Sequence, residues 1–275
     1  LLSRWDLHNL IALLRGGATS QPSEETLANM IPLGALSEAL AREVARQREF
    51  AGAVELLVRW RLPDPETARS LREAWPEYER TENLAALEHA VMYGWALRAA
   101  AALARAGTDG GGLRRVFERE VDRRNVLVAL RRREALGRGE VGELPGLADH
   151  DPYLPGGAIR PGLLDTAVRL PDPESITAEI AGAAPETWRA PLERWARSGD
   201  LIALQGELES VWIAEAVALF YRGDPLGVDV PVAYAIAKET EARNLRVVAE
   251  GAARGFEPYI VRAQLVFVVE RSVPG

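Results

Sequence analysis

Three carboxylate–carboxamide pairs are the residues best placed to do chemistry. Asp6 and Asn9, Asp122 and Asn125, and Glu241 and Asn244 are each three positions apart. On a helix that spacing puts both side chains on one face, where their oxygens could ligate a metal or orient a polar ligand. An amide set among Leu10, Leu13 and Leu14 is also expected to be partly buried and must then find hydrogen-bond partners there. The same pair could therefore serve as a fixed joint between helices. The third copy favours the joint, because it carries Glu241 where the others carry Asp, and a structural contact tolerates that change more readily than a ligand site does.

Other reaction chemistries are poorly supplied. His8, His89 and His150 have no zinc-type spacing and no Glu-x-x-His partner. The chain has no cysteine, so it has no thiolate ligand and no cysteine nucleophile. Its single lysine, Lys238, is followed by Glu239, which removes the phosphate loop ending in Lys-Ser/Thr. Gly137-Arg138-Gly139-Glu140-Val141-Gly142 matches the dinucleotide glycine pattern but follows a helix, whereas that mechanism needs a preceding strand. No Gly-x-Ser-x-Gly elbow is present. No catalytic residue, metal site or cofactor is expected. With a net charge of −7 and a pI near 5.3, nucleic acid is not an expected partner either.

The elements that must position the paired residues are helices. The 275 residues include 44 Ala and 36 Leu but only 9 Thr, and 32 of the 33 cations are Arg. Straight side chains of this kind lose little rotamer freedom in a helix. Leu84, Leu87, Val91 and Trp95 follow helical spacing, and Leu201, Leu204, Leu208 and Trp212 repeat it. Asn83 and Asp200 stand at N-cap positions before those two runs. Asp64-Pro65-Glu66 and Asp172-Pro173-Glu174 each combine a cap, a first-turn proline and an acid on the positive end of the helix dipole. The expected fold class is all-α. The most apolar helix, Val91 to Ala104, is interrupted by Arg98, so no membrane span is expected. With no secretory signal at the start, the chain reads as cytoplasmic.

These helices repeat. Asp64-Pro65-Glu66-Thr67 with Trp75 returns as Ala184-Pro185-Glu186-Thr187 with Trp195, and the Trp95 run returns as the Trp212 run. Arg4-Trp5-Asp6-Leu7-His8-Asn9-Leu10 returns as Glu120-Val121-Asp122-Arg123-Arg124-Asn125-Val126 and again as Thr240-Glu241-Ala242-Arg243-Asn244-Leu245. Each copy is expected to open a helix that runs into glycine, at Arg15-Gly16, Leu136-Gly137 and Glu250-Gly251. Ile31-Pro32-Leu33-Gly34-Ala35-Leu36 resembles Leu154-Pro155-Gly156-Gly157-Ala158-Ile159. The expected division is three related modules over 1–80, 81–197 and 198–275. The arginines at 114–115, 123–124 and 131–133 alternate with Glu118, Glu120, Asp122 and Glu134. They read as a solvated face with internal ion pairs, in preference to a docking surface for an acidic partner or membrane headgroups.

The segment from Arg4 to Gly16 resembles the signature of the C subunit of bacterial and archaeal V/A-type ATPases, whose eukaryotic relative is the d subunit of the vacuolar ATPase. Gly223-Asp224-Pro225-Leu226-Gly227 through Lys238-Glu239-x-Glu241-x-x-Asn244-Leu245-Arg246 is similar to that family's C-terminal signature. The resemblance implies three helical modules in a pseudo-threefold funnel, the first of them truncated at its N-terminus. It implies a non-catalytic socket, peripheral on the cytoplasmic face of the membrane, that receives the central stalk and sits on the membrane rotor ring during proton or sodium transport. Family members carry about one more helical subdomain before the first Asp-x-x-Asn helix, and the second copy departs in having Val126 after its Asn. A helical adaptor of the same ancestry acting outside a rotary ATPase is the competing reading.

Overall fold

The computed structural model describes residues 3–28, 30–31, 33–106, 111–137 and 151–267, and among these there are helices and turns but no strand. The chain is all-α. It divides into two compact units, one made of residues 1–105 and 128–156, the other of residues 106–127 and 157–275.

The first unit holds α1 (Ser3–Ala18), α2 (Ser23–Ala28), α3 (Glu38–Ala45), α4 (Phe50–Arg59), α5 (Pro65–Thr81) and α6 (Leu84–Arg105). The Asp64 side chain accepts from the Thr67 amide at 3.0 Å and from its hydroxyl at 2.9 Å, so α5 starts where a capping acid and Pro65 can satisfy its first turn. α5 then lies close along α6. A Cβ at Gly94 would meet the Thr67 backbone, so glycine is what lets the two helices approach there. Leu7, Leu10, Leu13 and Leu14 of α1 are buried, and α1 packs on α3, α4 and α6. The Trp95 indole of α6 donates to the Ser3 hydroxyl at 3.1 Å. Phe50, Trp75 and Tyr78 form an aromatic cluster between α4 and α5.

The second unit begins with most of α7 (Gly111–Gly137), whose last residues belong to the first unit. It continues with α8 (Pro161–Ala167), α9 (Pro173–Ala183), a 3-10 turn (Glu186–Trp188), α10 (Arg189–Ser198), α11 (Leu201–Arg222), α12 (Asp229–Arg254) and α13 (Pro258–Gln264). Asp172 caps α9 through Ser175, and Asp200 caps α11 through the amides of Ile202 and Ala203. Ala184-Pro185-Glu186-Thr187, the counterpart of the α5 start, opens on a 3-10 turn without a side-chain cap, because its N-cap residue, Pro185, has no side-chain oxygen to offer the free amides. Trp212, Ile213, Ala216, Val232, Ile236 and Val266 form a core joining α11, α12 and the segment after α13. The Trp212 indole donates to the Val116 carbonyl of α7 at 2.9 Å. Each repeated Trp thus ties its long helix to an Asp-x-x-Asn helix.

Two expectations need correcting. The second and third motif copies do not open helices: α7 begins at Gly111 and α12 at Asp229, so Asp122 and Glu241 lie well inside them. Nor does glycine end α1 or α12, which run through Gly16 and Gly251 to Ala18 and Arg254. Those glycines mark crossing points. A Cβ at Gly16 would collide with Thr26 of α2, and one at Gly251 with Val261 of α13. α12 ends instead on Gly255, left-handed at φ 68°. Among the described residues no helix is long and apolar enough to cross a membrane.

Candidate functional site

In the first copy the pair grips one loop. Asn9, fully buried, donates from Nδ2 to the Ile31 carbonyl at 2.6 Å and accepts at Oδ1 from the Ile31 amide at 2.8 Å. Both backbone groups of a single residue are thereby satisfied by one side chain. Asp6, one turn earlier and also buried, accepts from the Leu36 amide at 2.8 Å. Between these two contacts the loop passes over the carboxylate at Gly34, whose φ of 106° excludes most side chains and whose Cβ position would fall on the Asp6 carboxylate.

The second copy repeats the carboxylate contact. Asp122 is fully buried and accepts from the Ile159 amide at 2.9 Å, with Gly157 again the residue whose Cβ would strike the carboxylate. The separation is 37 residues against 30 for Asp6 and Leu36, so the stretch from motif to gripped residue is seven residues longer in the second copy. Asn125 is fully buried as well. In the third copy Asn244 repeats the two-way grip on Val266, donating at 2.8 Å and accepting at 3.1 Å. Glu241 does not follow its counterparts. It is exposed and pairs with Lys238 on its own helix at 2.6 Å.

Asn9→Ala is expected to lower the stability of the first unit by about 2 kcal/mol, because two partly buried backbone groups of Ile31 lose their partner together. The check is a shift in the chemical-denaturation midpoint. Asn9→Asp should rescue little, since a carboxylate cannot donate to the Ile31 carbonyl.

Burial pushes the Asp122 carboxyl above its ordinary value, against the opposing pull of the Ile159 amide, Arg119 and the Ala158 amide. A raised carboxyl pKa means that the folded chain holds this proton to higher pH than the unfolded chain does. Its contribution to stability therefore improves as pH falls through the window between the ordinary carboxylate value and the raised one. Wild type should accordingly gain stability relative to Asp122→Asn between pH 7 and about pH 4, the ordinary carboxylate value. Paired thermal melts across that range would show it, and a flat difference would contradict it.

The arginine-rich face is less solvated than its composition suggests. Arg124 pairs with Glu120 at 2.8 Å and Arg119 lies 3.5 Å from Asp122, so internal ion pairs are present. Glu120 and Arg123, however, are buried, joined at 2.9 Å, with the guanidinium 6.0 Å from the Trp212 ring. Hydrophobic cover from α11, distant in sequence, is what takes them out of water. Further along, Arg132 donates to the Tyr153 hydroxyl at 3.0 Å.

Of the histidines, His8 is exposed, His89 is buried with Nε2 2.8 Å from the Asp151 carbonyl, and His150 lies outside the described residues. Residues 138–142 of the dinucleotide-like pattern also lie outside them. Among the described residues no cluster of three or more His, Asp or Glu is arranged to hold a metal. The sequence alone did not couple Gly34 to Asp6, Gly157 to Asp122 or Arg123 to Trp212. The matching Leu-Gly-Ala-Leu and Gly-Gly-Ala-Ile stretches carried the signal for the first two.

Residues 1–264 match the family model described as ATP synthase (C/AC39) subunit. The chain is 31% identical over 268 residues to the C subunit of the V-type ATP synthase of Thermus thermophilus, covering 97% of this chain and 73% of that protein. It is 26% identical over 271 residues to the C subunit of the A-type ATP synthase of Haloferax volcanii, covering 97% and 72%. It is 28% identical over 279 residues to the same protein of Halorubrum lacusprofundi, covering 96% and 72%. About a quarter of each of these relatives thus has no counterpart in residues 1–275.

Proposed function

Because the chain belongs to the ATP synthase (C/AC39) subunit family, we propose that it is the non-catalytic socket of a rotary V/A-type ATPase, joining the central stalk to the membrane rotor ring and passing torque between them. The observation that carries this reading is the family match, which runs from residue 1 to residue 264 and so takes in all three motif copies. The packing supports it. Torque transfer requires a part that does not deform, and close-packed helices held by buried joints resist deformation. In this reading Asp6, Asn9, Asp122, Asn125 and Asn244 are joints rather than ligands, and Glu241 has lost the joint's chemistry. The three modules are the repeating parts of the socket, and the protein works at the cytoplasmic face of the membrane without entering it.

The test is deletion of the gene followed by assays on inverted membrane vesicles. ATP hydrolysis by the soluble head should persist while ATP-driven ion uptake is lost, and a tagged copy should restore uptake and co-purify with the stalk and the ring. Normal uptake without the protein, or recovery of the tagged copy with none of the ATPase proteins, would favour the adaptor acting elsewhere.

A further inference from the structure

Asp229 is a buried carboxylate that neither the repeated motif nor the proposed role uses. It lies in the first turn of α12, is 7% exposed, and accepts at Oδ2 from the Asp224 amide at 3.2 Å. Asp224 in turn accepts from the Leu226 amide at 2.9 Å, so the α11–α12 turn is folded back on Asp229. The other oxygen, Oδ1, is buried and has no hydrogen-bond partner among the described residues. Its neighbour is α7. A Cβ at Gly112 would fall on the Asp229 carboxylate, as one at Gly34 would fall on Asp6 and one at Gly157 on Asp122. The parts are exchanged, however. In those two joints the acid belongs to a motif and the glycine to the gripped loop. Here the acid opens α12 and the glycine lies in the first turn of α7, which carries the second motif.

Two helix starts therefore meet at one carboxylate. Each presents the positive end of its dipole, a place that favours negative charge and disfavours a metal ion. Leu113 and Val116, next along α7, pack against the Trp212 core, so this end of α7 is held by apolar contacts as well. We propose that Asp229 latches the start of α7 onto the start of α12, supplying in the third module the carboxylate joint that Glu241 does not make. The latch needs an acid on one helix and no side chain on the other, and Gly112 meets the second need. The inference concerns the second unit alone and stands independently of the coupling role.

Gly112→Ala and Asp229→Ala, made singly and together in the full chain, test it. Alanine is the better helix former, so at an open helical site Gly112→Ala would raise the denaturation midpoint. Against the Asp229 carboxylate it should lower the midpoint. In the Asp229→Ala background the same substitution should leave the midpoint unchanged or raise it. Asp229→Ala alone should also speed hydrogen exchange at amides 115–118, which bond to the carbonyls of the first turn of α7, by on the order of tenfold or more, while the amides of α9 keep their wild-type rates. Midpoint losses that simply add overturn the latch, and so does wild-type exchange at 115–118. Equal acceleration in α7 and α9 also overturns it, since that marks a general loss of packing. Should Asp229→Ala fail to fold, Asp229→Ser, shorter than Asp but still an acceptor for the Asp224 amide, takes its place in both comparisons. Failure of the coupling role would leave these readings unchanged.

Discussion

Glu120→Ala is expected to destabilise the second unit by about 3–5 kcal/mol, the cost of removing one member of a buried ion pair. Glu120 is 3% exposed and accepts from Arg123 at 2.9 Å and Arg124 at 2.8 Å, with Arg123 itself only 8% exposed. Arg124 can turn outward and regain water. Arg123 cannot, because it is held against Trp212 and its Nε already lacks a partner. Truncation would strand a cation there, and the second unit would have to open to hydrate it. Glu120→Gln keeps the volume and one acceptor, so it should cost less than the alanine variant. Glu241→Ala is the control, since its pair with Lys238 lies on an exposed helix face and should leave the denaturation midpoint in place. Midpoints equal for Glu120→Ala and Glu241→Ala would show that the buried pair has no special weight.

Gly34→Ala is the second large effect, expected at about 3 kcal/mol or more from two additive causes. A φ of 106° is a conformation that alanine adopts only under strain, and its Cβ would occupy the space of the Asp6 carboxylate. Relieving the collision moves the acceptor of the Leu36 amide, so the loop joint weakens as well. Gly199 separates the two causes. It is left-handed at φ 70° with nothing near its Cβ position, so Gly199→Ala should show the backbone cost alone, about 1 kcal/mol. Denaturation of the two variants side by side reads the difference directly. An equal loss in both would mean that the carboxylate gives way freely.

Features that depend on near neighbours were legible in the sequence. Asp64, Asp172, Asn83 and Asp200 act on amides two or three residues ahead, and each caps as its position suggested. The joint chemistry of Asp6 and Asn9 was legible only as a need for partners, because those partners lie 30 and 22 residues away. Helix starts were misplaced where the motif was taken for a beginning: Gly111 and Gly112 look like a break, yet α7 starts on them. The Glu120–Arg123 pair was hidden for a different reason. Charged residues on a helix read as solvated unless a distant apolar side chain covers them, and the cover here comes from Trp212 on α11. The family was legible because its motifs are contiguous, whereas the burial of the motif residues depended on tertiary packing.

The joint made by Asn9 and Asn244 touches only main chain at its far end. A contact that reads a peptide group is indifferent to which side chain that group carries, as Ile31 and Val266 already illustrate. After duplication such a joint places its demand on one partner alone, so the gripped loop is left free to drift in composition and length. Substitutions should therefore accumulate unevenly, with the asparagines fixed and the loops they hold varying widely. Ancient copies of one module could on this account lose nearly all identity and still assemble in the same way.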